Sequence, residues 1–269
     1  MRKIALVNQK GGVGKTTTAV NLSAAVARHG KRVLLIDLDP QSNATVSFGL
    51  RPNDLKLTTY SLLGGTAQPA EVMIEVGPNL CIIPSSLDLA AAEMELSATV
   101  GREQVLKEAM RDVAEFDFVF VDCPPSLGVL NVNGLVFVDE IFIPVQCEFF
   151  ALHGLSLLMR TVDLVKRRLN PNLAVTGFVP CMYDSRKGLA RETVKELEGH
   201  FKGRVFNTRI RTNVRLAEAP SHGMTIFGYA PDSYGADDYD ALARELLGLA
   251  IPVPEPAPAE PVPLIQPAP

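Results

Sequence analysis

Cysteine is scarce and never paired: Cys81, Cys123, Cys147 and Cys181 each stand alone in or beside an apolar run. Without a Cys-x-x-Cys pair or a cluster there is no basis for a zinc pattern, an iron–sulfur carrier or a dithiol redox centre, and buried reduced thiols are expected. Long hydrophobic runs are missing too. Although 47% of the residues are apolar, no run reaches the about 18 residues that a membrane span requires. The first strand begins almost at the N-terminus and leaves no room for a signal peptide, so a cytoplasmic location is expected. A basic amphipathic C-terminal helix, the device of a membrane-surface binder, is lacking as well. Residues 237–249 read instead as an acidic amphipathic helix, with Asp237, Asp238, Asp240 and Glu245 against a single Arg244. Beyond it, residues 251–269 are proline-rich and are expected to form an extended, mobile tail, serving as a solvated linker or as a ligand for a partner.

What is present is organised around residues 8–18, Asn-Gln-Lys-Gly-Gly-Val-Gly-Lys-Thr-Thr-Thr. An apolar run, Ile4-Ala5-Leu6-Val7, precedes it as a buried strand, and residues 19–27 follow as a helix with an apolar face. Strand, glycine-rich turn, Gly-Lys-Thr and helix form the context of a phosphate-binding loop. The glycines let successive main-chain N–H groups of Lys10, Gly11, Gly12, Val13, Gly14, Lys15, Thr16 and Thr17 turn toward phosphate oxygens, and the helix N-terminus adds partial positive charge. Lys15 is placed to reach the β- and γ-phosphates, and the Thr16 hydroxyl to join a Mg²⁺ shell. A nucleotide with Mg²⁺ is therefore the expected ligand.

Carboxylates at the ends of later strands extend the site. Residues 31–37 read as a second strand ending in Asp37-Leu38-Asp39-Pro40, and carboxylates at such ends face the ligand crevice of an open α/β sheet. The alternative for Asp37 and Asp39 is a turn and a helix cap ahead of Asn43. Residues 118–122 match the apolar strand ending in aspartate that holds Mg²⁺, which assigns Asp122 to the metal. Residues 140–148 form another strand, ending near Glu148, with a long helix expected from about 151 to 169. Residues 174–184 form a further strand, and 79–84 a short one. Residues 87–96 and 104–113 read as helices with no chemistry of their own.

Charge is unevenly spread. The net charge is −4 overall, but residues 160–215 carry 13 basic and 5 acidic side chains, half of all lysine and arginine in one fifth of the chain. That concentration suits a polyanion-binding surface, with Arg186, Arg211 and Arg215 as candidates, although solvated basic helix faces would produce the same count. Neither a recognition helix nor a zinc pattern is evident, so contact with DNA backbone rather than base edges is expected.

The phosphate loop departs from the usual form, with Gln9 where the first glycine belongs and Lys10 following it. This resembles the deviant Walker A motif of the ParA/Soj and MinD superfamily. Asp37-Leu38-Asp39-Pro40, Asp122-Cys123-Pro124-Pro125-Ser126, Pro144-Val145-Gln146-Cys147-Glu148 and the segment 213–221, Asn-Val-Arg-Leu-Ala-Glu-Ala-Pro-Ser, are similar to the family over residues 1–249. The resemblance implies a single α/β P-loop NTPase domain over residues 1–250, a mostly parallel sheet flanked by helices on both faces. It implies a partitioning ATPase that forms an ATP-dependent sandwich homodimer, binds double-stranded DNA without sequence preference on the nucleoid, and is stimulated by a ParB-like partner. Lys10 would reach across the dimer to the partner's nucleotide, and Glu148 would face the partner, unless it is an ordinary strand-end carboxylate. Asp39 would position the attacking water, with Asp37 supporting the Mg²⁺ shell. Met182 and Pro220 would border the adenine pocket, and Arg215 would grip DNA. A MinD-like, membrane-associated cell-division ATPase is the alternative within the same superfamily.

Overall fold

The computed structural model describes residues 1–148 and 153–251; the first two residues of the expected 151–169 helix and all but the first residue of the proline-rich tail lie outside them. Seven strands, β1 (Arg2–Leu6), β2 (Val33–Asp37), β3 (Ile74–Gly77), β4 (Leu80–Ile83), β5 (Phe118–Asp122), β6 (Glu140–Gln146) and β7 (Ala174–Cys181), form one sheet in the order β3-β4-β2-β5-β1-β6-β7. Every neighbouring pair is parallel except β3–β4 at one edge. The helices are α1 (Lys15–Arg28), α2 (Asn43–Ser47), α3 (Thr59–Leu63), α4 (Pro69–Val72), α5 (Leu89–Ser97), α6 (Val105–Ala109), α7 (Val129–Phe137), α8 (His153–Arg168), α9 (Gly188–His200), α10 (Val214–Glu218), α11 (Ile226–Tyr229) and α12 (Tyr234–Leu247).

The central strands are apolar on both sides because both sides are covered. Along β1, Ala5 joins one hydrophobic cluster while Ile4 and Leu6 join the other. Leu34 and Ile36 of β2 and Val119 and Val121 of β5 point to the first cluster; Val33, Leu35, Phe118 and Phe120 point to the second. The first is closed by α3 and α5–α8, the second by α1 and α12. Alanines 19, 24, 25 and 27 keep α1 slim where it lies on the sheet. The α/β architecture expected from the sequence is the one observed.

Three local expectations differ. The edge strand β3 was not anticipated, since four residues containing Glu75 carry little periodic signal. Helix α7 also went unread, because Asn131, Asn133 and Gly134 interrupt its apolar pattern although all three are buried. Helix α12 starts at Tyr234 rather than 237, where the Ser233 side chain accepts the Ala236 N–H and caps it.

The site lies where the carboxyl ends of β1, β2 and β5 meet. Strand β1 pairs on one side with β5 and on the other with β6, so the connections after it diverge and leave a crevice above the strand ends.

Candidate nucleotide site

The loop from Asn8 to Gly14 leaves β1 and delivers the chain into α1. Gly12 and Gly14 have φ of +72° and +94°, a left-handed backbone that side chains rarely adopt, which is why glycine occupies both. Asn8 anchors the start of the turn: its amide donates to the Pro144 carbonyl of β6 at 2.8 Å, and its Oδ1 accepts the Lys10 N–H at 3.0 Å. No side chain caps the N-terminus of α1, and no acidic residue sits in its first turn. Its free N–H groups and dipole are thus left for an anion. Gly11, Gly12, Gly14, Lys15, Thr16 and Thr17 line a cavity of about 470 Å³ there, within the usual size of a small-ligand site. Asp39, Met182 and Pro220 line the same cavity. Val13 turns its side chain into the protein, where it is 1% exposed.

Lys15 is buried, and among the described residues its ammonium donates only to the Lys10 carbonyl, at 3.3 Å. Burial lowers its pKa from the ordinary lysine value, and the nearby Asp122 and Asp39 carboxylates oppose that fall. Asp37 and Asp122 are register partners on β2 and β5, both with 0% exposure. Their surroundings differ sharply. Asp37 is fully engaged: Oδ2 accepts the Thr45 N–H at 2.9 Å and the Thr45 hydroxyl at 2.8 Å, and Oδ1 accepts the Asp39 N–H at 3.1 Å. It thereby ties α2 to the end of β2, which is the capping alternative raised by the sequence. Burial pushes its carboxyl up to about 6, with the hydrogen bonds opposing. Asp122 has no hydrogen-bond partner of good geometry on either oxygen. Burial, with Asp37 alongside, pushes its carboxyl well above the usual range, while the Thr16 hydroxyl and Lys15 pull it back.

An orphaned buried carboxylate beside a threonine hydroxyl and a lysine fits a hard cation. Among the described residues no three His, Cys, Asp or Glu side chains converge as a metal cage. That suits Mg²⁺, which takes one or two protein oxygens and completes its shell from phosphate and water.

Strand β2 ends at Asp37, so Asp39 is set by a loop and not by strand alternation. Its Oδ1 accepts the Gln41 N–H at 3.0 Å, and its carbonyl accepts the Ser85 hydroxyl at 2.8 Å. Asp39 is 7% exposed and forms the cavity wall near Lys15.

Lys10 stands outside the cavity. Its ammonium donates to Gln146 Oε1 at 3.1 Å and lies 3.6 Å from a Glu148 oxygen, with both charged side chains half exposed. Gln146 in turn donates to Glu148 at 2.7 Å, so the three side chains form one surface cluster within the chain.

The candidate basic residues are not equivalent. Arg186 forks onto Asp184 with two 3.0 Å bonds, which hold the Asp184 carboxyl down at about 2. Arg211 is bound to Asp238, and Arg215 pairs with Glu218 at 3.0 Å while staying 58% exposed.

The family model described as an AAA domain matches residues 1–175. The chromosome-partitioning ATPase Soj of Treponema pallidum is 47% identical over 248 residues, covering 91% of this chain and 97% of that one. The sporulation initiation inhibitor protein Soj of Bacillus subtilis is 46% identical over 245 residues, covering 90% and 97%. The chain belongs to the Soj/ParA family of partitioning ATPases. The family's scaffold extends to differently named proteins: cobyrinic acid a,c-diamide synthase of Mycobacterium smegmatis, solved with ADP and magnesium, superposes with a TM-score of 0.80 at 35% identity, covering 95% of this chain and all of that one. No helix among the described residues is long and apolar enough to cross a membrane.

Several residues that build this Soj/ParA site were not singled out from the sequence. Thr45 links Asp37 to the Ser85 N–H, which it receives at 2.8 Å, and Thr59 donates to the Asp37 carbonyl at 2.8 Å. Asn21 bonds the Thr17 carbonyl and the Ile226 N–H, joining the first turns of α1 to α11. Asn131 donates to the Pro124 and Ser126 carbonyls and shapes the loop after Asp122. Threonine, serine and asparagine are common everywhere, so only their position behind a strand-end aspartate hinted at the role.

Proposed function

We propose that this Soj/ParA chain binds and hydrolyses ATP with Mg²⁺, and that the ATP-bound form is a sandwich homodimer that attaches to DNA without reading its sequence. The observation that carries the nucleotide reading is Asp122, buried without a hydrogen-bond partner of good geometry among the described residues, beside Lys15 and Thr16 at the uncapped start of α1. Thr16 and Asp122 would hold the metal, the latter through water, and Asp37 would brace the shell from behind with its three hydrogen bonds. The cation, when bound, supplies positive charge against the phosphate oxygens.

The chain's own groups account for the rest of the chemistry. Main-chain N–H groups of residues 11–16 cradle the phosphates, and Lys15 neutralises the β- and γ-oxygens. Asp39, held by Gln41 and Ser85, orients a water in line with the γ-phosphorus. Met182 and Pro220 border the base side of the cavity. Lys10, released from Gln146 and Glu148, would reach the partner subunit's nucleotide and meet the charge that builds up on transfer, and Glu148 would then face the dimer partner. A ParB-like protein would accelerate turnover, and the ADP form would separate and leave the nucleoid.

DNA attachment rests on charge doubled by dimerisation. One copy of the 160–215 segment is a modest patch on an acidic protein; two copies on one rigid body neutralise more phosphates at once. All three proposed arginines are paired: Arg186 must leave Asp184 and Arg215 must leave Glu218, both from exposed positions, and Arg211, held by Asp238, is the least free. Retardation of two unrelated duplexes, with ATP and with ADP, across several salt concentrations tests this reading. Binding with ATP alone, equal for both duplexes and falling steeply with salt, is expected. Equal retention in ADP would remove the dimer switch; anionic vesicles bound instead of DNA would favour a cell-division ATPase.

A further inference from the structure

The acidic face of α12 looks like solvated surface in the sequence, yet the structure turns it toward one segment of chain. Residues 207–211 belong to no helix; the Ile210 side chain is buried in the second hydrophobic cluster, and Arg209 pairs with Glu198 of α9 at 2.7 Å. The Ile210 N–H reaches the Pro180 carbonyl at 2.8 Å, and the Tyr183 N–H reaches the Ile210 carbonyl at 2.9 Å. Helix α12 holds both ends of the segment. Glu245 accepts the N–H groups of Asn207 and Thr208 at 2.7 and 2.8 Å, together with both of their side chains. Two turns earlier, Asp238 accepts the Arg211 N–H at 2.8 Å and takes its guanidinium on both oxygens, at 2.6 to 3.1 Å. Residues seven apart share a helix face, so one stripe of carboxylate grips both ends of the segment. The Arg211 guanidinium also lies 4.2 Å from the Tyr234 ring centre.

That segment leads into the wall of a second cavity. About 330 Å³ of space, almost wholly apolar in its lining, adjoins the phosphate site and shares Gly14, Thr17 and Met182 with it. Ile210, Thr212 and Asn213 make up its far side. Tyr239, the neighbour of Asp238, lines the same space and sets its hydroxyl 3.1 Å from Thr18 on α1. Consecutive residues of α12 therefore hold the far wall and the helix that carries the phosphate loop. The spacing between the two sides of the site is set by α12.

We infer that Asp238 and Arg211 are positioning residues for the nucleoside end of the ligand: their ion pair fixes residues 210–213, the stretch that leads through α10 to Pro220, so that a base bordered by Met182 and Pro220 meets a preformed wall. The inference rests on the nucleotide reading above and assigns Arg211 to the nucleotide site in place of the DNA surface. A planar, bidentate pair suits this task because the fork sets direction as well as distance, which lysine cannot do. A wall held in place spares the ligand the cost of ordering it.

Calorimetric titration of the full chain with Mg-ATP and with magnesium tripolyphosphate tests the inference, using wild type, Asp238→Asn and Arg211→Lys. The polyphosphate occupies the loop but lacks a base. Loss of one charge-assisted contact corresponds to about tenfold weaker ATP binding in both variants. Tripolyphosphate affinity should stay within about twofold of wild type, the spread expected of a contact it does not make. If ATP affinity is unchanged in both variants, the inference fails while the nucleotide site stands. If ATP and tripolyphosphate weaken in parallel, α12 merely supports the fold and the inference again fails. If wild type binds neither ligand, the nucleotide reading itself falls and takes the inference with it.

Discussion

The phosphate loop and the basic 160–215 segment are both rich in charge, and they treat it in opposite ways. Around the loop, charge is buried and left without full satisfaction: among the described residues Asp122 has no hydrogen-bond partner of good geometry, and Lys15 has one carbonyl at 3.3 Å. In the basic segment four arginines are paired at the surface. Arg186, Arg209, Arg211 and Arg215 each meet a carboxylate at 3.0 Å or less. Burying an ion costs several kcal/mol unless something compensates, so a fold that tolerates a bare carboxylate points to a ligand that completes it. A surface arginine next to glutamate costs little and signifies little. Unsatisfied burial is therefore a sharper guide to the site than a charge count.

The widest gap between the two regions should appear on Lys15→Ala. Nothing else in the cavity can neutralise the β- and γ-phosphates, so ATP affinity should fall by about 100-fold or more, read by titration. Binding within a few-fold of wild type would remove the loop from the site. Asp39→Ala comes next. It should bind ATP and stay dimeric on size exclusion, with turnover down by about 10²-fold, because only the water-orienting group is gone. Normal hydrolysis would dismiss that role.

Asp122→Asn probes the bare carboxylate directly and should act in two directions. Magnesium-dependent hydrolysis should drop, while the nucleotide-free protein should melt a few degrees higher, since an amide costs less to bury than a charge by ~1–2 kcal/mol. A lower melting temperature would mean that Asp122 is satisfied in solution. The smallest effect should come from the basic segment. Arg215→Ala should weaken ATP-dependent DNA retention several-fold and reduce the salt slope by about 0.9, one phosphate contact, leaving ATP binding intact. An unchanged slope would move the DNA surface elsewhere in the segment.

The same contrast explains what the sequence could and could not convey. The phosphate loop and the strand-end positions of Asp37 and Asp122 were legible because each depends on neighbours in sequence: glycines within one turn, an apolar strand ending in a carboxylate. Strands β1, β2, β5 and β6 were legible for that reason too. The ion pair of Arg211 was not legible because its partner lies 27 residues away on another element. A count of charges assumes that each side chain faces solvent. Asp37 was read as both metal support and cap, and only Thr45, eight residues on, shows how far the capping role occupies it. Helix α7 escaped because a fully buried helix needs no polar face, and asparagines inside it are paid for by tertiary hydrogen bonds such as Asn133 to the Leu106 N–H.

Lys10 has a consequence for kinetics. In the single chain its ammonium is parked on Gln146 and Glu148, and a lysine that serves a second subunit must first let go. An exposed pair of this kind contributes at most ~1 kcal/mol, so parking slows the encounter rather than forbidding it. Screening loosens such a pair just as it loosens arginine from phosphate. Salt should accordingly act with opposite signs on two steps of one cycle, freeing the lysine for assembly while weakening the grip of the assembled pair on DNA. The ionic strength at which the protein stays longest on DNA would then lie at an intermediate value and not at the lowest.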